Sequence, residues 1–159
     1  MESNSLPNSS ITASSVWTQH PGHDPWLARL NNVPKHGNTG CWSTEVNKAG
    51  EWLQVDLGEE RLLTNLSTQG RPSADQWVRS YNISFSSDSV KWEPYKENNV
   101  VKVCDRDVIS KHDSNTGLVE ATSKVNSRRM AQWLTIKVLR TSKNFRLRNL
   151  ANFVFSWSS

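Results

Sequence analysis

EWLQVDLGEERLLTNLSTQG (residues 51–70) and DQWVRSYNISFSSDSVKWEPY (residues 75–95) form the stretch of sequence that decides the fold. Residues 52–57 alternate apolar and polar side chains, with one face formed by Leu53, Val55 and Leu57 and the other by Trp52, Gln54 and Asp56. A period of two puts successive side chains on opposite faces of an extended chain. The pattern therefore predicts a β-strand that is buried on one side.

Turn-forming residues divide the remainder of this stretch into further short strands. Gly58-Glu59-Glu60 is predicted to be a turn, and residues 62–68 are predicted to be the next strand, with Leu62, Thr64 and Leu66 on one face. Gly and Pro in GRPSA (residues 70–74) indicate a loop. Residues 77–86 alternate again, with Tyr81, Ile83 and Phe85 directed inward and Asn82 and Ser84 outward.

The same pattern of strands and turns extends over the whole chain. Shorter or weaker strands are predicted at residues 11–14, 90–95, 100–103, 132–138, 145–150 and 152–155. Prolines 21, 25 and 34 exclude a continuous helix or a central strand from residues 17–36, which are predicted to be a long exposed loop region. Residues 105–127 are polar and are also predicted to be loop. The sequence indicates a single all-β domain over residues 1–159.

Composition agrees with one domain that has a real core. A chain of 159 residues can bury a substantial core, and its eight Trp supply much of the buried area because only 35% of its residues are hydrophobic. Cys41 and Cys104 are interpreted as two buried thiols or a single bridge. The opening MESNSLPNSS has neither the basic start nor the apolar segment of a secretory signal.

Positive charge is concentrated in the last part of the chain. Residues 1–120 carry 11 Lys/Arg and 15 Asp/Glu, whereas residues 121–159 carry 8 Lys/Arg and no acid. A basic face of this kind suits acidic glycans or anionic lipid, or is an ordinary solvated sheet surface. These readings stay open for the basic residues Arg128, Arg129, Lys137, Arg140, Lys143, Arg146 and Arg148.

Several fragments in a fixed order resemble the discoidin family, also called the coagulation factor 5/8 type C domain. The fragments are SNSLPNSSITASS, WLARLNN, GCWSTEVNKAGEWLQVDLG and TQGRPSADQWVRSYNISFSSDSVKW. The resemblance is clear over residues 2–103, and DQWVRSY is similar to the cell-surface branch. Residues 104–159 diverge, because the family's Pro-containing turn is absent and no terminal Cys is present to form the family's terminal disulfide.

The resemblance implies a jelly-roll-like β-sandwich that binds its ligand through loops at one end. It also implies that Trp52 lies in the core and that the binding loops are residues 17–26, 32–40 and 70–76. Candidate ligand-binding residues in and beside these loops are Trp17, Gln19, His20, His23, Asp24, Trp26, Asn32, His36, Arg71, Ser73, Asp75 and Gln76. For Trp17 a core position is favoured, whereas Trp26 suits a sugar platform and a packed loop base equally well.

These residue types favour carbohydrate as the ligand. A pyranose needs a flat aromatic surface for its apolar face and planar polar groups for its hydroxyls. Cell-surface or matrix glycans are therefore the expected partners, and an extracellular or cell-surface location follows from the resemblance. Anionic phospholipid is a weaker alternative because the loop tips TQHPGHD and RPSA hold no Leu, Met or Phe to enter a bilayer. A protein partner, as in receptor ectodomains of the family, is the third alternative, and nucleic acid is not expected.

Metal and catalytic chemistry find little support in the sequence. His20-x-x-His23-Asp24 lacks a third distant ligand, and zinc needs about three or four convergent ones. No cofactor is expected, although a structural Ca²⁺ on loop carbonyls and Asp24 is compatible with the sequence. Glu59 and Glu60 are adjacent on an extended chain, so their side chains point apart. The sequence therefore predicts a binding module and not an enzyme.

Overall fold

A computed structural model of the chain describes residues 6–35, 37–71, 76–105, 111–113, 118–124, 130–141 and 150–158. Short 3₁₀ turns cover Asn8–Ser10 and Pro25–Leu27. The strands are β1 (Ile11–Ala13), β2 (Trp42–Ser43), β3 (Trp52–Gln69), β4 (Val78–Ser86), β5 (Glu93–Pro94), β6 (Lys96–Glu97), β7 (Val100–Val101), β8 (Cys104–Asp105), β9 (Lys111–Asp113), β10 (Leu118–Lys124), β11 (Met130–Thr141) and β12 (Leu150–Ser158). The described part contains no helix long and apolar enough to cross a membrane.

The strands form an antiparallel β-sandwich in which β3 takes part in both layers. The first half of β3 pairs with β1 and β11, and β11 in turn pairs with β4. The second half of β3 pairs with β10 and β12, and β12 continues to β2. Two layers packed face to face bury the inner side chains of both sheets. The predicted all-β sandwich is confirmed.

Alternating apolar residues of the two layers form the core. In β4 and β11 the predicted inward residues are buried, whereas Asn82, Ser84, Trp133 and Thr135 are half-buried on the other face. Trp42 is fully buried, and its Nε1 donates to the carbonyl of Ser15 at 3.0 Å. The core consists of Leu6, Ile11, Ala28, Trp42, Leu53, Val55, Leu57, Leu63, Leu66, Val78, Tyr81, Ile83, Phe85, Tyr95, Cys104, Ala131, Leu134, Ile136 and Val138.

The predicted turn at Gly58-Glu59-Glu60 is wrong. Asp56 pairs with Trp133, whereas Arg61 pairs with Ala131, so four residues of β3 lie opposite Gln132. The segment is thus a wide bulge in one continuous strand and not a reversal of the chain. Bulges bend and twist the strand that carries them. This bend lets a single strand pass from one layer of the sandwich to the other.

A second irregularity explains why the predicted face of residues 62–68 is wrong. Leu63 and Leu66 are buried, while Leu62 and Thr64 are only half-buried. The register of β12 against β3 shifts between Ser156 and Trp157, which leaves an extra residue on β3 at this point. An extra residue inverts the alternation that follows it.

Two further predictions need correction. Residues 105–127 are not all loop, because they include β9 and β10, and β10 pairs with the end of β3 from Asn65 to Gln69. Main-chain hydrogen bonds to a neighbouring strand can hold a polar segment that lacks an apolar period. Trp52 is half-buried on the outer face, opposite Leu53 and Val55, and does not lie in the core.

The remaining strand predictions are largely confirmed. The predicted strands at residues 11–14, 132–138 and 152–155 fall within or beside β1, β11 and β12. The predicted strands at residues 90–95 and 100–103 are reduced to the two-residue strands β5 and β7. Most of the weak strand predicted at 145–150 lies outside the described residues. Cys41 and Cys104 are both buried free thiols.

Candidate functional site

The loops of residues 17–26 and 32–40 are joined by hydrogen bonds. The carbonyl of Gly22 accepts from the backbone N–H of Thr39 at 3.0 Å and from its Oγ1 at 2.8 Å. Gly22 has φ +84°, and a Cβ there would lie 2.4 Å from the Cα of Asn38. Only glycine combines this left-handed backbone with so close an approach. The contact therefore fixes one loop against the other.

The buried side chain of His23 contacts the same junction through hydrogen bonds. It is only 3% exposed, and its Nδ1 lies 2.5 Å from the hydroxyl of Ser43 and 3.3 Å from that of Thr39. The backbone N–H of Ser43 also donates to the carbonyl of His23 at 3.2 Å. Buried polar groups need such partners. His23 thus has a structural position in the loops and presents little surface to a ligand.

The described ends of the third loop, Arg71 and Gln76, follow the Gln69 end of β3. The side-chain oxygen of Gln69 accepts from the backbone N–H of Asn31 at 2.8 Å. Arg71 is held to Gln76 by a backbone hydrogen bond of 2.9 Å and by a side-chain bond from Nη1 to Oε1 of 3.1 Å. The charge of Arg71 also acts on Cys41, where it opposes the burial that raises the pKa of that thiol.

Trp17 lies over the two nearby histidines. Its ring centroid is 5.0 Å from that of His20 in an edge-on arrangement and 4.6 Å from that of His23 in a tilted one. Trp17 is half-buried and stays outside the core, so the predicted core position is wrong. Gln19 and His20 are exposed beside it. A partly exposed aromatic ring and two exposed polar side chains therefore face solvent at this point.

Trp26 borders a separate cleft of about 400 Å³. The cleft is lined by Leu6, Pro7, Asn8, Trp26, Arg29 and Asn32. Trp26 is 36% exposed, whereas Arg29 is only 7% exposed. Nη2 of Arg29 donates to the carbonyl of Leu6 at 2.8 Å and to Oδ1 of Asn8 at 3.1 Å. Asn32 is oriented by a 3.1 Å bond from its Nδ2 to the carbonyl of Leu27.

The structure thus sorts the predicted site residues into three groups. Trp17, His20 and His23 lie together, Arg71 and Gln76 form a pair, and Trp26 and Asn32 line the cleft. Asp24 is half-buried, and its carbonyl accepts from the N–H of Leu27 at 3.0 Å to begin the 3₁₀ turn. The predicted residues His36, Ser73 and Asp75 lie outside the described part of the chain.

Sequence reasoning missed Asn8 and Arg29 as residues of the cleft. Arg29 is the one charged residue of WLARLNN, between the apolar Leu27 and Leu30. A lone arginine in an apolar run is a signal of a buried guanidinium with a specific role. Asn8 lies 21 positions from Arg29 in sequence, and no local pattern links the two. Only the folded chain brings the two together.

The described residues hold no group of three His, Cys, Asp or Glu side chains that could bind a metal ion. Glu59 and Glu60 are exposed on the bulge of β3, away from both the cleft and the loop junctions. The chemistry of the described loops is that of hydrogen-bonding groups, aromatic rings and guanidinium charges. These groups recognise ligands by complementarity of shape and charge.

Comparison with known proteins agrees with this architecture. Residues 10–149 match the family described as the F5/8 type C domain. Lactadherin of Rattus norvegicus is 39% identical over 109 residues, which are 65% of this chain and 25% of that protein. Coagulation factor V of Bos taurus is 38% identical over 101 residues, which are 61% of this chain and 4% of that protein. The chain therefore spans a quarter or less of these curated relatives.

Solved structures show the same fold at low sequence identity. Discoidin II from Dictyostelium discoideum superposes with a TM-score of 0.71 at 19% identity, over 92% of this chain and 53% of that one. CBM32-3 from a family 31 glycoside hydrolase of Clostridium perfringens gives 0.67 at 16% identity, over 96% and 94%. The family match covers most of the chain and reaches residue 149, beyond the segment in which the motifs are clear. This chain belongs to the F5/8 type C domain family.

Proposed function

We propose that this domain is a non-enzymatic recognition module that binds carbohydrate through its loops at the Gln69 end of β3 and through the adjoining Trp26 cleft. The observation that carries the proposal is the joining of two loops through Gly22 and Thr39, with the ring of Trp17 against His23 beside the junction. Rigid loops cost little ordering entropy when a ligand binds, so weak individual contacts can add up. Cell-surface or matrix glycans at an extracellular site are the partners that we propose.

The arrangement of polar and aromatic groups supports sugar over other small ligands. Trp26 offers an exposed ring, and the Arg71–Gln76 pair offers planar groups held in one orientation. Sugar hydroxyls are recognised by amide and guanidinium groups of this kind, while the apolar face of the ring covers an aromatic side chain. A fold neighbour, CBM32 of AlyQ, is known in complex with 4,5-unsaturated mannuronic acid. That complex supports the proposal at the level of the fold.

A glycan array probed with the fluorescently labelled domain tests the proposal. We expect wild-type protein to bind a subset of glycans, and Trp26→Ala and Arg71→Ala to lose at least tenfold in affinity. Trp92→Ala is a matched control, because Trp92 is a half-buried tryptophan on the turn beyond β4 with its Nε1 bonded to Ser89 at 3.2 Å. If both loop variants bound glycans as tightly as wild type, the loop assignment would be wrong.

Anionic phospholipid is the second candidate because one valine within the loop of residues 32–40 and one valine after it are exposed. Val33 is 45% exposed and Val46 is 52% exposed, and the neighbouring Glu45 accepts from the backbone N–H of Thr18 at 3.1 Å. Apolar side chains at loop tips can enter the lipid interface, and this binding resists salt. Flotation with phosphatidylserine vesicles at low and high salt separates the two functions. Lipid would be established as the ligand if the protein floated with the vesicles at high salt, if Val33→Ser and Val46→Ser abolished this flotation, and if no glycan on the array bound the domain.

A further inference from the structure

The cleft between the Leu6–Asn8 segment and the Trp26 turn has the chemistry of a site for a charged sugar. We propose that it binds an acidic sugar unit of a glycan, with the anionic group, a carboxylate or a sulfate, attracted by Arg29 and the ring covered by Trp26. The inference rests on the proposed carbohydrate function and narrows it to acidic glycans. It also adds Asn8 and Arg29 to the residues that recognise the ligand.

The charge of Arg29 carries the argument. Its Nη2 bonds go to neutral acceptors, the Leu6 carbonyl and the Asn8 side-chain oxygen. Nε and Nη1 have no hydrogen-bond acceptor in the described part of the chain. A guanidinium has five N–H donors, and these two nitrogens carry three of them. Arg29 is therefore a buried cation without a carboxylate partner among the described residues.

A buried cation of this kind favours an anionic ligand over a neutral one. Burial removes water from the guanidinium and lowers the pKa of Arg29, but an arginine side chain stays charged at neutral pH. An unpaired charge in a poorly hydrated site is costly, and an opposite charge nearby relieves that cost. Nε and Nη1 are shielded from solvent, so the guanidinium attracts the anion through its charge at the cleft wall and not through hydrogen bonds from these two nitrogens.

The other walls of the cleft suit the rest of a sugar ring. Trp26 presents an exposed aromatic surface, and Leu6 and Pro7 supply apolar surface beside it. The side chains of Asn8 and Asn32 are both oriented by hydrogen bonds to the protein and still have free amide capacity for hydroxyls. A volume of about 400 Å³ lies within the roughly 300–1,000 Å³ typical of small-molecule sites. The cleft is thus large enough for one sugar unit and its substituent.

A glycan array that pairs neutral, carboxylated and sulfated forms of the same sugars gives the first test. We expect the intact domain to bind acidic glycans at least tenfold more tightly than their neutral counterparts. Arg29→Gln should remove that preference, whereas Lys91→Gln, which removes one exposed positive charge on the turn beyond β4, should keep it. The carboxylated and sulfated arms decide which anion the cleft takes.

NMR titration of wild-type protein provides a second readout that needs no substitution at a buried position. Galacturonic acid should shift the Trp26 indole and Arg29 Nε–H signals, and its uncharged methyl ester should shift them at least tenfold more weakly. Equal effects of acid and ester, with neutral glycans bound on the array, would overturn the inference and leave the proposed function standing. An array silent for all glycans would overturn both. The cleft would be reassigned to lipid if wild-type protein bound phosphatidylserine vesicles, Trp26→Ala did not, and galacturonic acid failed to compete with the vesicles.

Discussion

Two regions of this domain are held in place by different interactions. The first is residues 51–95, and the second is the loops around Gly22 and Trp26. The first region holds the family signature, and its apolar residues Leu53, Val55, Tyr81 and Ile83 are fully buried. The second region carries few core residues, and its order comes from single hydrogen bonds between loops. The comparison teaches that the buried residues of 51–95 stabilise the fold, whereas most of the residues that we propose face a ligand lie in loops outside that stretch.

The largest effect is expected when a core tryptophan is compared with an exposed one. Trp42→Ala removes a side chain that is 0% exposed together with its hydrogen bond to Ser15. Such large-to-small changes cost about 3–5 kcal/mol. Trp26→Ala should change stability by less than about 1 kcal/mol, because surface substitutions usually have small effects. Urea unfolding followed by circular dichroism measures both values.

The same two variants also separate folding from binding. At a temperature where both are folded, Trp26→Ala should lose glycan binding and Trp42→Ala should keep it. The division between scaffold and site breaks down if Trp26→Ala destabilises the domain as strongly as Trp42→Ala does. It also breaks down if Trp26→Ala leaves glycan binding unchanged.

The sequence predicts the strands and their buried faces correctly where the pattern depends only on neighbouring residues. The alternation of Leu53, Val55 and Leu57, like that in β4 and β11, depends only on neighbouring residues, and it correctly predicts the buried faces. Gly58-Glu59-Glu60 has the composition of a turn, yet β11 pairs on both sides of it and keeps the chain in one strand. That outcome depends on a distant segment, so local composition could not reveal it.

The sequence predicted which loops hold the candidate residues, but it could not predict how these residues contact one another. Pro21, Pro25 and Pro34 correctly indicated irregular chain around the candidate residues. The burial of His23 follows from the distant hydroxyls of Ser43 and Thr39, and the cleft at Trp26 needs the N-terminal segment at Leu6–Asn8. The hydrogen bonds among these residues join positions 16 to 23 apart, and no short-range period encodes them.

The second prediction breaks the junction between the loops without touching the scaffold. Gly22→Ala forces a left-handed φ on a residue with a Cβ and also drives that Cβ against the backbone of Asn38. Strain of this kind costs about 1–3 kcal/mol. Gly37→Ala has nearly the same φ, +85°, but meets nothing within 4 Å, so it should cost only about 1 kcal/mol. Thermal unfolding of the pair isolates the close approach, and equal losses would show that the approach is unimportant.

A third prediction removes the hydroxyl of Thr39 and keeps the shape of its side chain. Thr39→Val deletes the 2.8 Å bond to the carbonyl of Gly22 and the 3.3 Å contact with Nδ1 of His23. It also deletes the contacts of the hydroxyl with the carbonyl of Cys41 at 3.2 Å and with Sγ of Cys41 at 3.4 Å. One hydrogen bond contributes about 0.5–1.5 kcal/mol, so a loss of about 1–2 kcal/mol is expected in urea unfolding. Because the loops loosen, the free energy of glycan binding should fall by more than the free energy of unfolding. Thr12→Val on the exposed face of β1 is the matched control, and it should change neither quantity.

The smallest expected effect lies in the signature region, at the turn that follows β4. The carboxylate of Asp88 accepts from the backbone N–H groups of Lys91 and Val90, and these bonds hold its pKa below the usual value. A lowered pKa means that the turn is stabilised above the pKa of the unfolded chain and loses that support as pH falls through the folded value. The amide shifts of Val90 and Lys91 should therefore move together in an acid titration. Asp88→Asn keeps an acceptor oxygen but cannot titrate, so its shifts should stay flat; a titration that persists in Asp88→Asn would assign the effect to another group.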